Sequence, residues 1–357
     1  MSTTDAVGES VAGELPDRMR QVTVHADRIA VDEVERPAPS PDEILVRTTF
    51  VGVCGSDTHA AVGEHPFISL PYNPGHEVVG VVCQLGDAVT GVQVGDRVIV
   101  EPTLPCWHCK MCGTGRENLC ENLRFFGCVH EQGAMADYFT IRADRVHLVP
   151  EDLDDLQAVL VEPLATPVHA VRLSGGVRGR TVVIIGAGTI GLLVLAAALH
   201  DGARRVVMTD PLLTKRERAR RLGVDAVVDA TLPDVAAVVR AELRESADVV
   251  FDCVAIQPTV DQAVRLASKG GVVMVVGVPT RPVTVALPQI QDLQVRVQGS
   301  ATYLPEDYVT ATTIIRAGQV RVHDFVTSRY PLEQAAEAFA AAAGGEEVKV
   351  VIEVARP

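Results

Sequence analysis

Thr181-Val182-Val183-Ile184-Ile185-Gly186-Ala187-Gly188-Thr189-Ile190-Gly191 is the stretch that decides how this chain is read. A run of β-branched residues forms a buried strand, and the residues after it fit the GxGxxG pattern of a turn that opens a helix. Gly186 permits the tight turn, Gly188 lets the backbone approach a pyrophosphate, and Gly191 lets helix and strand pack closely at the positive helix end. Ile190 lies inside the same cofactor-binding turn. An acid closes the next strand: Asp210 lies 19 residues beyond Gly191. A carboxylate there accepts bonds from both adenine-ribose hydroxyls and repels a 2′-phosphate, which points to NAD over NADP.

The strand–helix rhythm continues downstream. Arg205–Thr209, Ala226–Val228, Val249–Asp252, Val272–Val276 and Val295–Gln298 read as five further strands. Helical stretches at Lys215–Leu222, Val235–Leu243 and Thr259–Ala267 separate most of them. Six strands with crossover helices describe a doubly wound parallel sheet, an α/β fold. Upstream the texture differs. Gln21–His25, Glu43–Val53, Val78–Leu85 and Arg97–Glu101 are β-branched runs punctuated by Pro and Gly, a mostly-β pattern. Helix-compatible sequence follows over Asp155–Gly175. The last fifty or so residues mix helices near Glu306–Ala317 and Glu333–Ala342 with a closing strand, Val348–Val354. The nucleotide-type domain, 164–303, is therefore expected to interrupt another formed by 21–163 and 304–357, with 1–20 a flexible extension.

Composition bounds the function. The chain has 357 residues, about two domains' worth, and 32 Lys+Arg against 46 Asp+Glu give a net charge of −14. An acidic surface repels phosphate backbones, so nucleic acid and anionic membranes are poor partners. Apolar runs such as Leu192–Leu199 are far short of the ~20 residues that a bilayer span requires. Met1–Pro16 has neither the basic nor the apolar region of a secretory signal, so the expected location is cytoplasmic. Thiols stay reduced there, and clustered cysteines suggest metal or catalysis before disulfides.

Four of the eight cysteines fall in Cys106-x2-Cys109-x2-Cys112-x7-Cys120. Disulfides between such close neighbours would be strained, whereas one looping segment can wrap four thiolates around a tetrahedral Zn²⁺. With every position filled by sulfur, the site is structural. Lys110, Arg116 and Arg124 are too few to make this lobe a nucleic-acid module.

Two further clusters lie upstream, Gly52-Val53-Cys54-Gly55-Ser56-Asp57-Thr58-His59 and Gly75-His76-Glu77. A thiolate, an imidazole and a carboxylate suit a catalytic zinc that keeps one position open. Cys83, Cys128 and Cys253 remain as expected packing residues.

Together with Glu162-Pro163-Leu164 and the glycine turn, these motifs resemble the zinc-dependent medium-chain alcohol dehydrogenases. The resemblance runs from about Arg20 to the end, in order and spacing. It is closest to the polyol (sorbitol-type) and threonine dehydrogenase branch, because Val161-Glu162-Pro163 puts a carboxylate where other alcohol dehydrogenases place a cysteine. The resemblance implies a GroES-like catalytic domain interrupted by a six-stranded Rossmann domain, with two zinc ions per chain and NAD. It implies zinc on Cys54 and His76, with Glu77 or Glu162 completing the protein ligands, and Asp57 orienting His76. Ser56 would take the substrate proton and His59 pass it to solvent, while Lys215 would contact the adenine ribose. Glu162 and Tyr303 would address substrate hydroxyls, with Phe67, Phe126 and His130 as possible neighbours.

Hydride would pass between NAD and a secondary alcohol, a polyol, cyclitol or related compound, giving the ketone. Thr302 stands where sorbitol-type enzymes carry an Arg before the Tyr, and Ala60 where they carry an aromatic, which argues against sorbitol itself. The alternatives are a threonine-type dehydrogenase acting on a β-hydroxy amino acid and a non-catalytic zinc- and NAD-binding regulator. Relatives of this kind are commonly dimers or tetramers, and Val295–Gln298 as an edge strand could pair across a two-fold.

Overall fold

The computed structural model describes residues 15–354. The extension expected over 1–20 lies mostly outside these residues, and Arg18 already opens a strand, Arg18–Val24.

A six-stranded sheet holds the nucleotide-type sequence, in the order Ala226–Asp229, Arg205–Asp210, Thr181–Ile185, Ala247–Asp252, Ala267–Val275, Arg296–Gly299. Every pairing is parallel. Chain order therefore reverses direction at Thr181–Ile185, and the crevice beyond its carboxyl end is where such sheets bind ligands. All five residues of that strand are buried, as its unbroken apolar run requires when helices cover both faces. Helix Thr189–Asp201 is apolar on nearly every side because it lies between the sheet and helix Val161–Leu173. Gly202, at φ +89°, ends it. Helix Val161–Leu173 also packs on helix Pro305–Arg316, in a core that includes Leu164, Leu193, Phe251 and Ile314.

The second sheet runs Val326–Pro331, Lys349–Glu353, Glu43–Val53, Glu77–Leu85, Arg97–Val100, Val146–Leu148, with Tyr138–Arg142 also paired to Glu43–Val53. Its central strand pairs with Lys349–Glu353 through Val53↔Val350. Strands from before and after the parallel sheet's stretch of sequence thus share one sheet. Among the described residues no helix is long and apolar enough to cross a membrane.

Candidate active site

Strand register brings the upstream motifs together. Glu43–Val53 and Glu77–Leu85 are antiparallel, with Gly52 opposite Glu77. Cys54, just past the first strand, therefore meets His76, just before the second. One donor atom each from Cys54, His76 and Glu77 lies within 4.8 Å of the others. His76 and Glu77 are 4% and 1% exposed. Gly75, at φ +109°, lets the 134–135 backbone pack against the turn that carries His76, since a Cβ there would sit 2.5 Å from the Met135 nitrogen. Glu77 Oε1 accepts from Lys349 Nζ at 2.7 Å, whereas the buried Oε2 has no partner.

Cys54 caps helix Gly55–Ala61 and Asp57 fixes it, its Oδ2 accepting from the Cys54 N–H at 2.9 Å. The Tyr72 hydroxyl donates to Asp57 Oδ1 at 3.1 Å. The carboxylate expected to orient His76 is thus bonded to the helix cap and to Tyr72. It is Cys128 Sγ, taken from sequence as a packing residue, that lies 3.4 Å from His76 Nδ1. Phe125 meets the same imidazole edge-on, with ring centroids 5.5 Å apart. Ser56 Oγ is buried without a partner, and His59, one helical turn on, is exposed.

Glu162, in the first turn of Val161–Leu173, is 4% exposed and accepts from the Tyr303 hydroxyl at 2.5 Å. Burial pushes its carboxyl up to about 7, against the pull of His76. Glu162 is close enough to feel His76, Glu77 and Lys349, but it lies outside the tight three-residue cluster. Phe67 is exposed, and Phe126 is fully buried against Phe139 at 5.0 Å.

The glycine turn has the shape of a phosphate cradle. A Cβ on Gly191 would fall 1.9 Å from the Gly186 carbonyl oxygen, and Gly186 holds φ +95°. Gly188 opens helix Thr189–Asp201 with nothing within 4 Å of its Cβ position. Ile190 is half-buried against the core. Asp210 reaches back to the turn, where the Ala187 N–H donates to Oδ2 at 2.9 Å and the Leu212 N–H to Oδ1 at 2.8 Å. Lys215 is half-buried on the helix that follows.

In the cysteine lobe the four sulfurs lie within 4.8 Å of one another. Cys109 Sγ is 3.5 Å from Cys112 Sγ and 3.9 Å from Cys120 Sγ. Four sulfurs at ~2.3 Å from one ion would be about 3.8 Å apart, so the donors fit tetrahedral zinc. Backbone N–H groups favour the thiolate at two of these positions, while burial pushes Cys112 up to about 12. The N–H of His108 pulls Cys106 down to about 6, and those of Cys112 and Glu121 hold Cys109 below its usual value.

Sequence reasoning missed Lys349 and Cys128. A lysine inside the apolar run Val348-Lys349-Val350-Val351 was a readable signal, because a buried lysine needs a partner. Cys128 offered none, since nothing in its spacing connects it to His76.

Two family models match the chain: Alcohol dehydrogenase GroES-like domain over residues 40–151 and Zinc-binding dehydrogenase over residues 189–317. Curated relatives include D-xylulose reductase A of Aspergillus niger and of Aspergillus oryzae. Each is 31% identical, over 89% of this chain and 92% of theirs. A zinc-binding dehydrogenase from Sinorhizobium meliloti, solved with NADP bound, is 34% identical with TM-score 0.89, covering 95% of this chain and 100% of its own. The 2R,3R-butanediol dehydrogenase of Bacillus subtilis is 26% identical with TM-score 0.87, covering 94% and 99%. On this evidence the chain belongs to the zinc-binding alcohol dehydrogenase family of oxidoreductases.

Proposed function

We propose that the protein is a zinc-dependent dehydrogenase that moves hydride between NAD and a secondary alcohol of a polyol or related hydroxylated substrate. The observation that carries this reading is the Cys54–His76–Glu77 cluster, half-buried at Cys54 and buried at His76 and Glu77, with the Glu162–Tyr303 pair beside it. The donor set fits a catalytic zinc: thiol, imidazole and carboxylate are drawn together in a buried place, with Glu77 Oε2 and Ser56 Oγ unpartnered. Glu77 is the stronger candidate to complete the ligands, since Glu162 stands outside the cluster and is bonded to Tyr303. Cys106, Cys109, Cys112 and Cys120 would hold a second, structural zinc.

When bound, zinc supplies Lewis-acid polarisation of the substrate hydroxyl, and the nicotinamide supplies the hydride acceptor. The chain's own residues do the rest. Ser56 Oγ takes the hydroxyl proton, and His59, three residues on along the same helix face, hands it to solvent. Asp57 holds Cys54 in place through its N–H. Glu162 and Tyr303 bind a neighbouring hydroxyl, which favours a substrate with more than one oxygen; the D-xylulose reductase relatives accord with that class. The preference for NAD rests on Asp210, with Lys215 at the adenine ribose. The exposed edge strand Arg296–Gly299 would pair across a two-fold in a homo-oligomer. Eight free cysteines suit a reducing, cytoplasmic setting.

A screen of NAD⁺ reduction across polyols, inositols, amino alcohols and simple secondary alcohols tests the substrate class, and activity on none of them would refute it. Cys54→Ser should abolish turnover while leaving the fold and the lobe zinc in place. Undiminished turnover in that variant would end the catalytic-zinc reading.

A further inference from the structure

Asn118 sits on the single turn Glu117–Leu119, two residues before Cys120, and is 6% exposed. It reaches out of the cysteine lobe to the loop that follows the last strand of the parallel sheet. Its Nδ2 donates to the Ala301 carbonyl at 3.0 Å and lies 3.5 Å from His169 Nε2. Thr302 Oγ1 donates in return to the Asn118 carbonyl at 3.5 Å. His169 is anchored on its other side, where Nδ1 is 2.8 Å from Asp307 Oδ2. Arg172 clasps both oxygens of that carboxylate at 2.9 Å. Asp307 Oδ2 also accepts from the Leu304 N–H at 2.8 Å, so the loop is pinned at its far end too.

The residue between these anchors is strained. Thr302 has φ +50°, a left-handed conformation that a β-branched residue rarely adopts. Backbone of this kind persists only where its surroundings over-determine it, and it gathers at functional sites. Here the surroundings are Asn118 on one side and Asp307 on the other. The consequence is the direction of the next residue: Tyr303 turns inward, 1% exposed, with its hydroxyl on Glu162.

We propose that Asn118 is a positioning residue for substrate binding, coupling the four-cysteine lobe to the strained Ala301–Thr302 turn and so fixing Tyr303 and Glu162 for a substrate hydroxyl. The proposal rests on reading Glu162 and Tyr303 as the hydroxyl-binding pair. It gives the lobe a role at the pocket as well as in stability.

The test is Asn118→Ala in the zinc-loaded enzyme, with Thr302→Val as a milder variant that removes only the returning hydroxyl. Loss of a hydrogen bond of ordinary strength should raise KM for the alcohol found in the screen about tenfold, with kcat within about twofold. NAD⁺ affinity and zinc content should not change. Amide hydrogen exchange in the peptide spanning Gly299–Leu304 should quicken in both variants, more in Asn118→Ala. Adding Thr302→Gly, which relaxes the turn, should return much of the lost affinity. Unchanged exchange at Gly299–Leu304 in zinc-replete variants would overturn the proposal, as would kcat, NAD⁺ affinity and KM all worsening together. If the wild type oxidises no alcohol, the functional reading fails, and the exchange measurement still decides whether Asn118 holds the turn.

Discussion

Lys349 Nζ donates to Glu77 Oε1 at 2.7 Å, with the two residues only 4% and 1% exposed. The pair ties the closing strand of the chain to the second upstream motif, and Lys349 also donates to the Val53 carbonyl at 3.2 Å, one residue before Cys54. Removing one partner of a buried ion pair leaves the other charge uncompensated, which costs about 3–5 kcal/mol. In the metal-free protein, where no zinc offsets the Glu77 charge, Lys349→Met should therefore lower stability by that amount in urea unfolding. Adding Glu77→Gln should recover much of the loss, since a neutral pair carries no stranded charge. A Lys349→Met variant as stable as wild type would show that the pair is not held in solution.

Gly52 leaves room for the Glu77 carboxylate, and little more. A Cβ at that position would lie 2.0 Å from Glu77 Oε2 and 3.1 Å from Glu77 Cβ. Gly52→Ala should push the carboxylate out of the cluster at a stability cost of about 1–3 kcal/mol. Metal analysis should find the lobe zinc retained and occupancy of the Cys54–His76–Glu77 cluster reduced. Full occupancy and full turnover would place the functional carboxylate elsewhere, with Glu162 the next candidate.

The proposed preference for NAD rests on Asp210. Its oxygens accept from the Ala187 and Leu212 N–H groups, so the carboxylate is held rigidly beside the glycine turn. Asp210→Ser should lower kcat/KM with NAD⁺ by about ten- to a hundredfold, roughly 1.4–2.8 kcal/mol, by removing its ribose contacts. It should raise relative use of NADP⁺ by removing the repulsion of a 2′-phosphate. An unchanged NAD⁺/NADP⁺ ratio would mean that selectivity lies with other groups.

The cysteine lobe should depend on its metal for its fold. Cys109→Ser removes a donor 3.5 Å and 3.9 Å from two of the other sulfurs, leaving three thiolates for a site that needs four ligands. Zinc content should fall by about one ion per chain, with a lowered melting temperature. Retention of both ions would show that the four sulfurs do not share one.

What was legible in the sequence is what local periodicity and short motifs encode. Strands Thr181–Ile185 and Glu43–Val53 and helix Val235–Leu243 lie where their patterns put them. Strand Ala267–Val275 starts five residues earlier than Val272, because helix Gln257–Leu266 passes straight into it. The short helix Leu287–Asp292 spans six residues, too few for an apolar period to show. At the site, Cys54, His76 and the four lobe cysteines were readable as motifs. Their neighbours Cys128 and Asn118 were not, because each reaches its partner through loop packing across long stretches of chain; Lys349 was readable as a buried lysine, but not its partner Glu77, which only strand register brings to it. Gly75 and Gly127, whose backbones approach so closely that a Cβ on Gly127 would lie 2.3 Å from the Gly75 oxygen, bring Cys128 to His76.

His130 gives a pH dependence whose sign can be worked out. Its side chain is 13% exposed, its Nδ1 accepts from the Gln132 N–H at 3.1 Å, and its ring lies 5.8 Å from Phe126. Burial, reinforced by Arg124, holds its pKa below 6.5, and Glu131, 3.5 Å from Nε2, does not reverse this. The folded state therefore keeps the imidazole neutral in a range where the unfolded chain has already taken a proton. There the unfolded state binds more protons, so stability falls as pH drops through 6.5 towards the lower folded value. Protonation also removes the acceptor that the Gln132 N–H uses. His130→Ala should cost about 1 kcal/mol at about pH 8, where the bond is intact. The gap between wild type and variant should narrow steadily towards about pH 5, as wild type loses what the variant never had. Because both proteins share every other titrating group, the difference isolates this one. A gap that stays constant across the range would mean that His130 takes up its proton equally in both states, and hence that it is not buried as the structure places it.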